Sequence, residues 1–467
     1  MDKDILFIDY HDDIINQNLE RFNKLGISKD KLKKWKNKYP FIYAEDVAYD
    51  KYRVNVNKKF ICYPLIICMA EKDKDLIKCL KIVRKYKIHF AVRSGGHCVE
   101  PFSLSDGIII DQSKRKEVKI KEGKITIQSG VLQGPLIYEL QKQNLGTVMG
   151  TCCNVSLTGF TLIGGNGYLA RKFGNGSDQI LQAKVLLANG KIVKADENNN
   201  SDLFWALRGA GNGNFGIITE LTLKTYKLKK VVLFKFSFNF DNLIKIAEYW
   251  QEWSLNLDEN WGTQFRFKNG GNLPEVEGIY VGKKKEAKKM LSQFYSFDPR
   301  GIMFDKVDYA EVTRIFSGKG RWPVFTKVKN AFVKKQWPTE AFKIVRKYMA
   351  KGGGLSVFEL ALLGGNFNKP KKTDTAFVHR DSIFWFMLNG HWETQEQTTN
   401  EMKWINDFYK ELLPYLSDEV YQNLPDADIK DYIHAYYGKN ANRLVEIKNK
   451  YDPTNMFRYG QSIPLSL

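Results

Sequence analysis

The chain has 467 residues, a net charge of +20, 43% hydrophobic and 13% aromatic residues. That length is too great for one small core and suggests roughly two or three structural units, while the composition suits a globular protein that buries a large core. The longest early apolar stretch, Pro64 to Ala70, falls far short of the ~20 residues that span a bilayer, which argues against a membrane protein.

The N-terminus carries acidic residues from Asp2 onward, with no basic head before an apolar core. It does not read as a secretory leader, so the expectation is an intracellular protein, cytoplasmic or packaged without a conventional signal. Six cysteines are present, Cys62, Cys68, Cys79, Cys98, Cys152 and Cys153. None has the CxxC spacing of a zinc or redox site, so no metal is expected. The positive charge raises the question of a nucleic-acid or anionic-surface partner. Its lysines are scattered through amphipathic segments such as Lys29–Lys36 and Lys283–Lys289, which suits solvated helix faces. No zinc-finger, RRM or helix-turn-helix signature accompanies them, and neither nucleic acid nor membrane is expected as a partner.

Residues 1–49 read as a polar helical segment with a turn at Lys38-Tyr39-Pro40. A strand at 60–69 and a helix from Asp73 to Lys85 follow, the helix with Leu76, Ile77, Leu80, Ile82 and Val83 near the 3.6-residue period. A strand from His89 to Arg93 ends in Ser94-Gly95-Gly96-His97, and another runs from Gly107 to Asp111. Then come β-rich runs at 117–130, a helix from Pro135 to Asn144, and the loop from Met149 to Val155. Beyond a glycine-rich stretch at 159–176, strands at 181–188 and 191–194 flank Asn189-Gly190, a strong hairpin signal. A helix from Asp202 to Leu207 and a strand from Ile217 to Leu223 close this half. From about residue 229 strands at 230–239, 262–268, 356–363 and 383–392 alternate with helices at 241–256, 284–296, 339–350 and 394–413. That pattern reads as a sheet covered by helices. Residues 433–467 are expected to contain no long element, and no internal repeat or low-complexity linker is present.

Two constellations carry chemistry. In Arg93-Ser94-Gly95-Gly96-His97 the glycines let backbone approach a ligand, their amides can bind an anion such as a pyrophosphate, and Arg93 offers countercharge. A histidine after two glycines is, taken alone, more often a loop residue. In Gly150-Thr151-Cys152-Cys153-Asn154-Val155, followed by Gly159, Gly164-Gly165-Asn166-Gly167 and Asp178, a thiol sits in a glycine-dense loop. A thiol there is open to whatever lies against the loop and becomes a nucleophile once its pKa falls; a buried structural cysteine pair is the plainer alternative. The GxGxxG run Gly211 to Gly216 is a decoy, because a dinucleotide fingerprint needs a strand before it and a helix after it, and here the order is reversed.

Together these motifs resemble the berberine bridge enzyme family, a branch of the vanillyl-alcohol oxidase group with a p-cresol methylhydroxylase (PCMH) type of FAD domain. The resemblance covers nearly the whole chain from about Tyr49. Residues 91–97 and 150–152 carry it, with Asp202 to Gly216, Thr375 to Arg380, Tyr436 to Asn440, Asp452 to Phe457 and Gln461 to Pro464. Each motif is weak; their order and spacing are specific. The resemblance implies a bicovalent FAD, with His97 bonded to the flavin 8α-methyl and Cys152 to ring carbon 6, and with Cys153, in the place of a usual proline, as the reserve candidate. It implies hydride transfer from a small-molecule alcohol or carbohydrate-like substrate, with O2 as acceptor giving H2O2. Val155 matches a position that controls oxygen access, and its small side chain looks like that of an oxidase. The cofactor contacts implied are Arg93, Ser94, Gly95, Gly96, Gly150, Thr151, Val155, Gly159, Gly164, Gly165, Gly167, Asp178, Gly216, Ile217, Tyr437 and Asn440.

The chain departs from the family at the proton-accepting positions. A Tyr-x-Asn-Tyr segment reads Tyr421-Gln422-Asn423-Leu424, and Met387 stands where a polar residue is expected on the strand 383–392. Neither leucine nor methionine can accept a proton. Pro101 and Asn166 also replace usual glycines. Tyr421 and His391 are the leading candidates for the base, followed by Tyr436 and Tyr437. The alternatives are a substrate that needs no strong base, or a flavin-bearing protein with a binding or structural role. The expected architecture is α+β: a FAD-binding unit formed by 50–228 with 430–467, and a substrate-binding unit at 229–429 whose sheet covers the flavin on one face and helices on the other.

Overall fold

A computed structural model of the chain describes residues 5–121, 123–268, 273–317, 324–351 and 356–467. Residues 1–4 of the expected helical segment and Glu122 of the expected β-rich run lie outside the described residues. Among the described residues no helix is long and apolar enough to cross a membrane.

A four-stranded mixed sheet has the spatial order Phe41–Ile42, Ile66–Met69, Ile108–Asp111, Phe90–Arg93, with the last three parallel. Every residue of Ile66–Met69 and of Ile108–Asp111 is buried, as expected for parallel strands covered on both faces. Helix Asp73–Tyr86 buries Leu76, Cys79, Leu80, Ile82 and Val83. Asp75 caps its start by accepting the N–H of Lys72 at 2.9 Å, and Lys87, left-handed at φ 53°, ends it. The strand expected from residue 60 begins only at Ile66; Pro64 lacks the N–H that a ladder needs.

A five-stranded antiparallel sheet follows, in the order Val118–Lys121, Lys124–Gln128, Ile217–Lys224, Ile180–Leu186, Ile192–Ala195. Ile125, Ile127, Ala183, Val185, Leu221 and Leu223 alternate into one core. Helix Ser201–Ala210 precedes the GxGxxG run and strand Ile217–Lys224 follows it, the inverse of a dinucleotide fold. Gly209 closes the helix at φ 137°, and a Cβ there would lie 2.2 Å from Phe377 N.

The third sheet has seven antiparallel strands in the order Gly301–Asp308, Lys230–Ser237, Glu275–Tyr280, Trp261–Lys268, Val357–Leu362, Phe384–Trp392, Phe325–Val333. One face is aromatic: Phe234, Phe236, Phe265, Phe358, Phe384 and Phe386 pack against Trp250, Phe342 and Phe408 of helices Leu243–Leu255, Thr339–Lys351 and Thr398–Leu412. The residues between them point the other way, and on three central strands several are polar: Gln264 and Arg266, Glu359, then Asn389 and His391. Period-2 alternation therefore makes a wall with an oily back and a polar front.

The C-terminal reading needs correction. Residues 441–451 form an 11-residue helix, Ala441–Tyr451, with Ala441, Leu444, Ile447 and Tyr451 buried. Its buried Lys448 donates to the carbonyl of Asn214 at 2.7 Å and to Asp452 at 2.7 Å. The tail is thereby tied to the glycine loop at 211–216.

Candidate active site

A cavity of about 490 Å³ lies between the polar front of the seven-stranded sheet and the two glycine-rich loops. Strand Phe90–Arg93 delivers Ser94, Gly95, Gly96 and His97 to its wall. A Cβ on Gly95 would come within 2.9 Å of Ser156 N, and Gly96 is left-handed at φ +69°, so bare backbone lines this part. Burial pushes the His97 imidazole below its usual pKa, against hydrogen bonding that raises it, Asn154 included. The ring is thus held neutral, its nucleophilic form.

The second loop contributes Gly150, Thr151, Cys152 and Val155. Gln133 accepts the N–H of Gly150 at 2.6 Å, and the Cys153 carbonyl accepts the N–H of Gly134 at 2.8 Å. These bonds set which cysteine meets the cavity. Cys152 lines it, whereas the Cys153 side chain packs on Gly134, where an added Cβ would meet Cys153 Cβ at 2.7 Å. Burial raises the Cys152 thiol above its usual pKa, while the Arg266 guanidinium draws it down.

Gly159, Gly167 and Gly216 also reach the cavity wall. Gly164 and Gly165 do not; they form the turn behind it, and Tyr421 holds that turn. The Tyr421 hydroxyl accepts from Gly165 N at 2.7 Å, Asn166 N at 2.9 Å and Asn423 Nδ2 at 2.8 Å. The ring lines the cavity; burial raises the hydroxyl's pKa above its usual value, against these three donors, which lower it.

Besides Gly164 and Gly165, four implied cofactor contacts lie off the wall, each with a role in the fold. Asp178 binds Arg380 in a two-pronged ion pair of 2.6 and 2.8 Å. Ile217 points into the core of the parallel sheet, and its neighbour Ile218 faces the cavity instead. Tyr437 is buried in the main core. Asn440 donates to the carbonyls of Lys372 at 2.8 Å and Thr375 at 3.2 Å. The countercharge expected of Arg93 is likewise committed elsewhere. Its guanidinium pairs with buried Asp111 at 2.7 Å and donates to the carbonyls of Val54 and Tyr52.

The polar front of the sheet holds what the sequence reading missed. Arg266 lies 3.5 Å from Glu277 and 3.7 Å from Glu359. Glu277 also accepts from Gln264 at 2.7 Å and from Tyr168 at 3.2 Å. Glu359 is the only carboxylate on the cavity wall among the described residues. Burial pushes it up to about 7; Arg266 and Lys268 oppose the rise and Glu277 adds to it. His391 lines the same wall, pushed down to about 4 by burial and by Arg266. Met387 pairs in register with Glu359 on the adjacent strand. The signal was present: Glu359 is the one charge in Val357–Leu362, and Arg266 sits between Phe265 and Phe267.

These residues fit FAD. An imidazole and a thiol, His97 and Cys152, open on one cavity, part of whose wall is backbone too crowded for a Cβ, and a polar sheet face stands opposite. Among the described residues no cluster of His, Cys, Asp or Glu is arranged to hold a metal.

Comparison with known proteins agrees with this geometry. The FAD binding domain family matches residues 64–196, and the berberine and berberine like family matches residues 420–464. The chain is 32% identical over 435 residues to a Bacillus subtilis (strain 168) protein named as an uncharacterized FAD-linked oxidoreductase, YgaK, covering 90% of this chain and 95% of that one. It is 29% identical over 414 residues to a chitooligosaccharide oxidase of Gibberella zeae, covering 81% of this chain and 83% of that one. The fold matches that of Physcomitrella patens BBE-like 1 with a TM-score of 0.87 at 24% identity, covering 97% of this chain and 99% of that one. With the motifs, the fold and these relatives together, the chain belongs to the berberine bridge enzyme-like family of FAD-linked oxidoreductases.

Proposed function

We propose that this enzyme is an oxidase of a carbohydrate-like or other small alcohol, with FAD bonded to both His97 and Cys152. The observation that carries the reading is that His97 and Cys152 open on the same cavity while Cys153 is turned onto Gly134. FAD held there supplies a two-electron acceptor for the substrate's hydride, and O2 takes the electrons onward to give H2O2. The backbone of Ser94–Gly96 and of Gly150–Thr151 is suited to its phosphates and ring edge, in place of the arginine countercharge that Arg93 does not offer. Val155 lines the cavity with a small side chain, which supports access for O2.

The sheet face supports a sugar-like substrate. The amides of Gln264 and Asn389, joined by that of Asn423 from outside the sheet, line the cavity beside the Trp385 ring. Polar groups beside an aromatic surface suit a hydroxylated ring. Relatives named as a chitooligosaccharide oxidase and as a xylooligosaccharide oxidase in complex with xylobiose point to the same class.

Purified protein supplied aerobically with glucose, chitobiose or xylobiose is expected to consume O2 and release an equal amount of H2O2. Flavin bleaching without O2 uptake would make it a dehydrogenase. No bleaching with any sugar or with a simple aromatic alcohol would favour a binding role.

A further inference from the structure

Oxidising an alcohol removes a proton as well as a hydride, and a side chain placed to take that proton typically contributes 10²–10⁴-fold in rate. Met387 and Leu424 cannot do so. Burial holds the Tyr421 hydroxyl above its usual pKa, so it keeps its proton, although three donors oppose this. Tyr436 and Tyr437 are buried in the core, off the cavity wall. His391 lines the wall, but an imidazole pushed down to about 4 is a weak base.

Glu359 remains. It points from strand Val357–Leu362 onto the polar front of the sheet, directly across from Met387 on strand Phe384–Trp392. Its carboxylate lies 3.7 Å from the Arg266 guanidinium, which Glu277 engages at 3.5 Å from the far side. Glu277 is in turn fixed by Gln264 and Tyr168. The site thus contains a proton acceptor one strand away from the position where the family pattern predicts it, with a supporting row behind it.

We propose that Glu359 is the general base of this enzyme and that Arg266 and Glu277 are its positioning residues; the proposal rests on the alcohol-oxidase reading. In the step, the substrate C–H bond breaks and hydride leaves to oxidised flavin, which is reduced by two electrons. The substrate O–H bond breaks, its proton goes to the Glu359 carboxylate, and C–O becomes C=O.

The groups bearing on Glu359 are Arg266 and Lys268 from strand Trp261–Lys268 and Glu277 from strand Glu275–Tyr280. Tyr168 and Cys152 also feel its charge from the loop side. Met387, its partner on the third side, carries none. Burial, opposed by two nearby cations, pushes the carboxyl up to about 7, where the base form is available and still binds a proton usefully.

Two readouts test this on the flavin-loaded protein, wild type against Glu359→Gln. In infrared difference titration the wild type should show a protonated-carboxyl band that disappears as pH rises through about 7, and Glu359→Gln should lack it. In anaerobic reduction of the flavin by chitobiose, xylobiose or glucose, Glu359→Gln should be ~10²–10⁴-fold slower and lose the rise of rate with pH, with covalent flavin and Tm retained. A Glu359→Gln variant that reduces the flavin at the wild-type rate and with the wild-type pH profile overturns the proposal. If no sugar reduces the wild-type flavin, the sugar reading fails, and the same comparison of wild type with Glu359→Gln is made with a simple aromatic alcohol.

Discussion

At the scale of single residues, the site is a matter of which atoms are free and which are committed. Cys152 and Cys153 are neighbours in sequence with different fates, because the Gly134–Cys153 backbone bond turns one outward and the other onto a glycine. Cys153→Ser should therefore leave both flavin bonds intact, and Cys152→Ser should leave a flavin held through His97 alone, as read by mass spectrometry of flavin peptides. Tyr421 illustrates the opposite case. Tyr421→Phe strips the buried N–H of Gly165 and the half-buried N–H of Asn166 of their acceptor, and an unsatisfied buried donor costs about 1–3 kcal/mol. Thermal unfolding should show a loss of that order. A larger change in flavin reduction rate than in stability would instead argue for a chemical role of its hydroxyl.

At the scale of the element, strand Val357–Leu362 carries both halves of the account in adjacent residues. Phe358 is fully buried on the aromatic back of the sheet and Glu359 faces the cavity. Phe358→Ala should destabilise by about 3–5 kcal/mol while the covalent flavin remains. Glu359→Gln should do the reverse, sparing Tm and slowing flavin reduction. The same alternation explains what could be read from the sequence. The hydrophobic period marks this strand, and the one charge within it marks its front, yet nothing local says that the front is a cavity wall. The expected helix from Asp73 and strand from Ile217 came within a residue of those observed, whereas the strand expected from residue 60 starts at Ile66, beyond Pro64. Strands Glu275–Tyr280, Gly301–Asp308 and Phe325–Val333 escaped although Glu275 and Glu277 in the first, and Lys327 and Lys329 in the third, alternate with apolar residues; in the second the adjacent Asp305 and Lys306 break the alternation. Helix Ala441–Tyr451 escaped because its exposed face is polar, although Leu444, Ile447 and Tyr451 keep helical spacing.

At the scale of the whole molecule, side chains distant in sequence join the sheets and the tail. Asn57 donates to Thr326 O at 3.0 Å, Lys327 pairs with Glu100 at 3.0 Å, and Arg380 reaches Asp178. Such pairings cannot be read along a sequence, and they are why Asp178 and Asn440, both conspicuous in motifs, serve the fold rather than the cavity wall. They also set a pH dependence. Glu419 touches His379 at 2.9 Å and Lys334 at 2.6 Å, and these partners hold its carboxyl well below the usual range against its burial. A depressed carboxylate adds stability above its unfolded pKa, and that stability is lost as pH falls through the folded one. Tm should therefore decline under acid, and Glu419→Gln should lower Tm at neutral pH and flatten the decline. The central claim, a flavin bonded at two points in one cavity, is tested most directly by acid precipitation followed by mapping of flavin-modified peptides. The account predicts a yellow pellet whose flavin is carried on peptides containing His97 and Cys152. A colourless pellet with FAD in the supernatant, or flavin on Cys153, would contradict it.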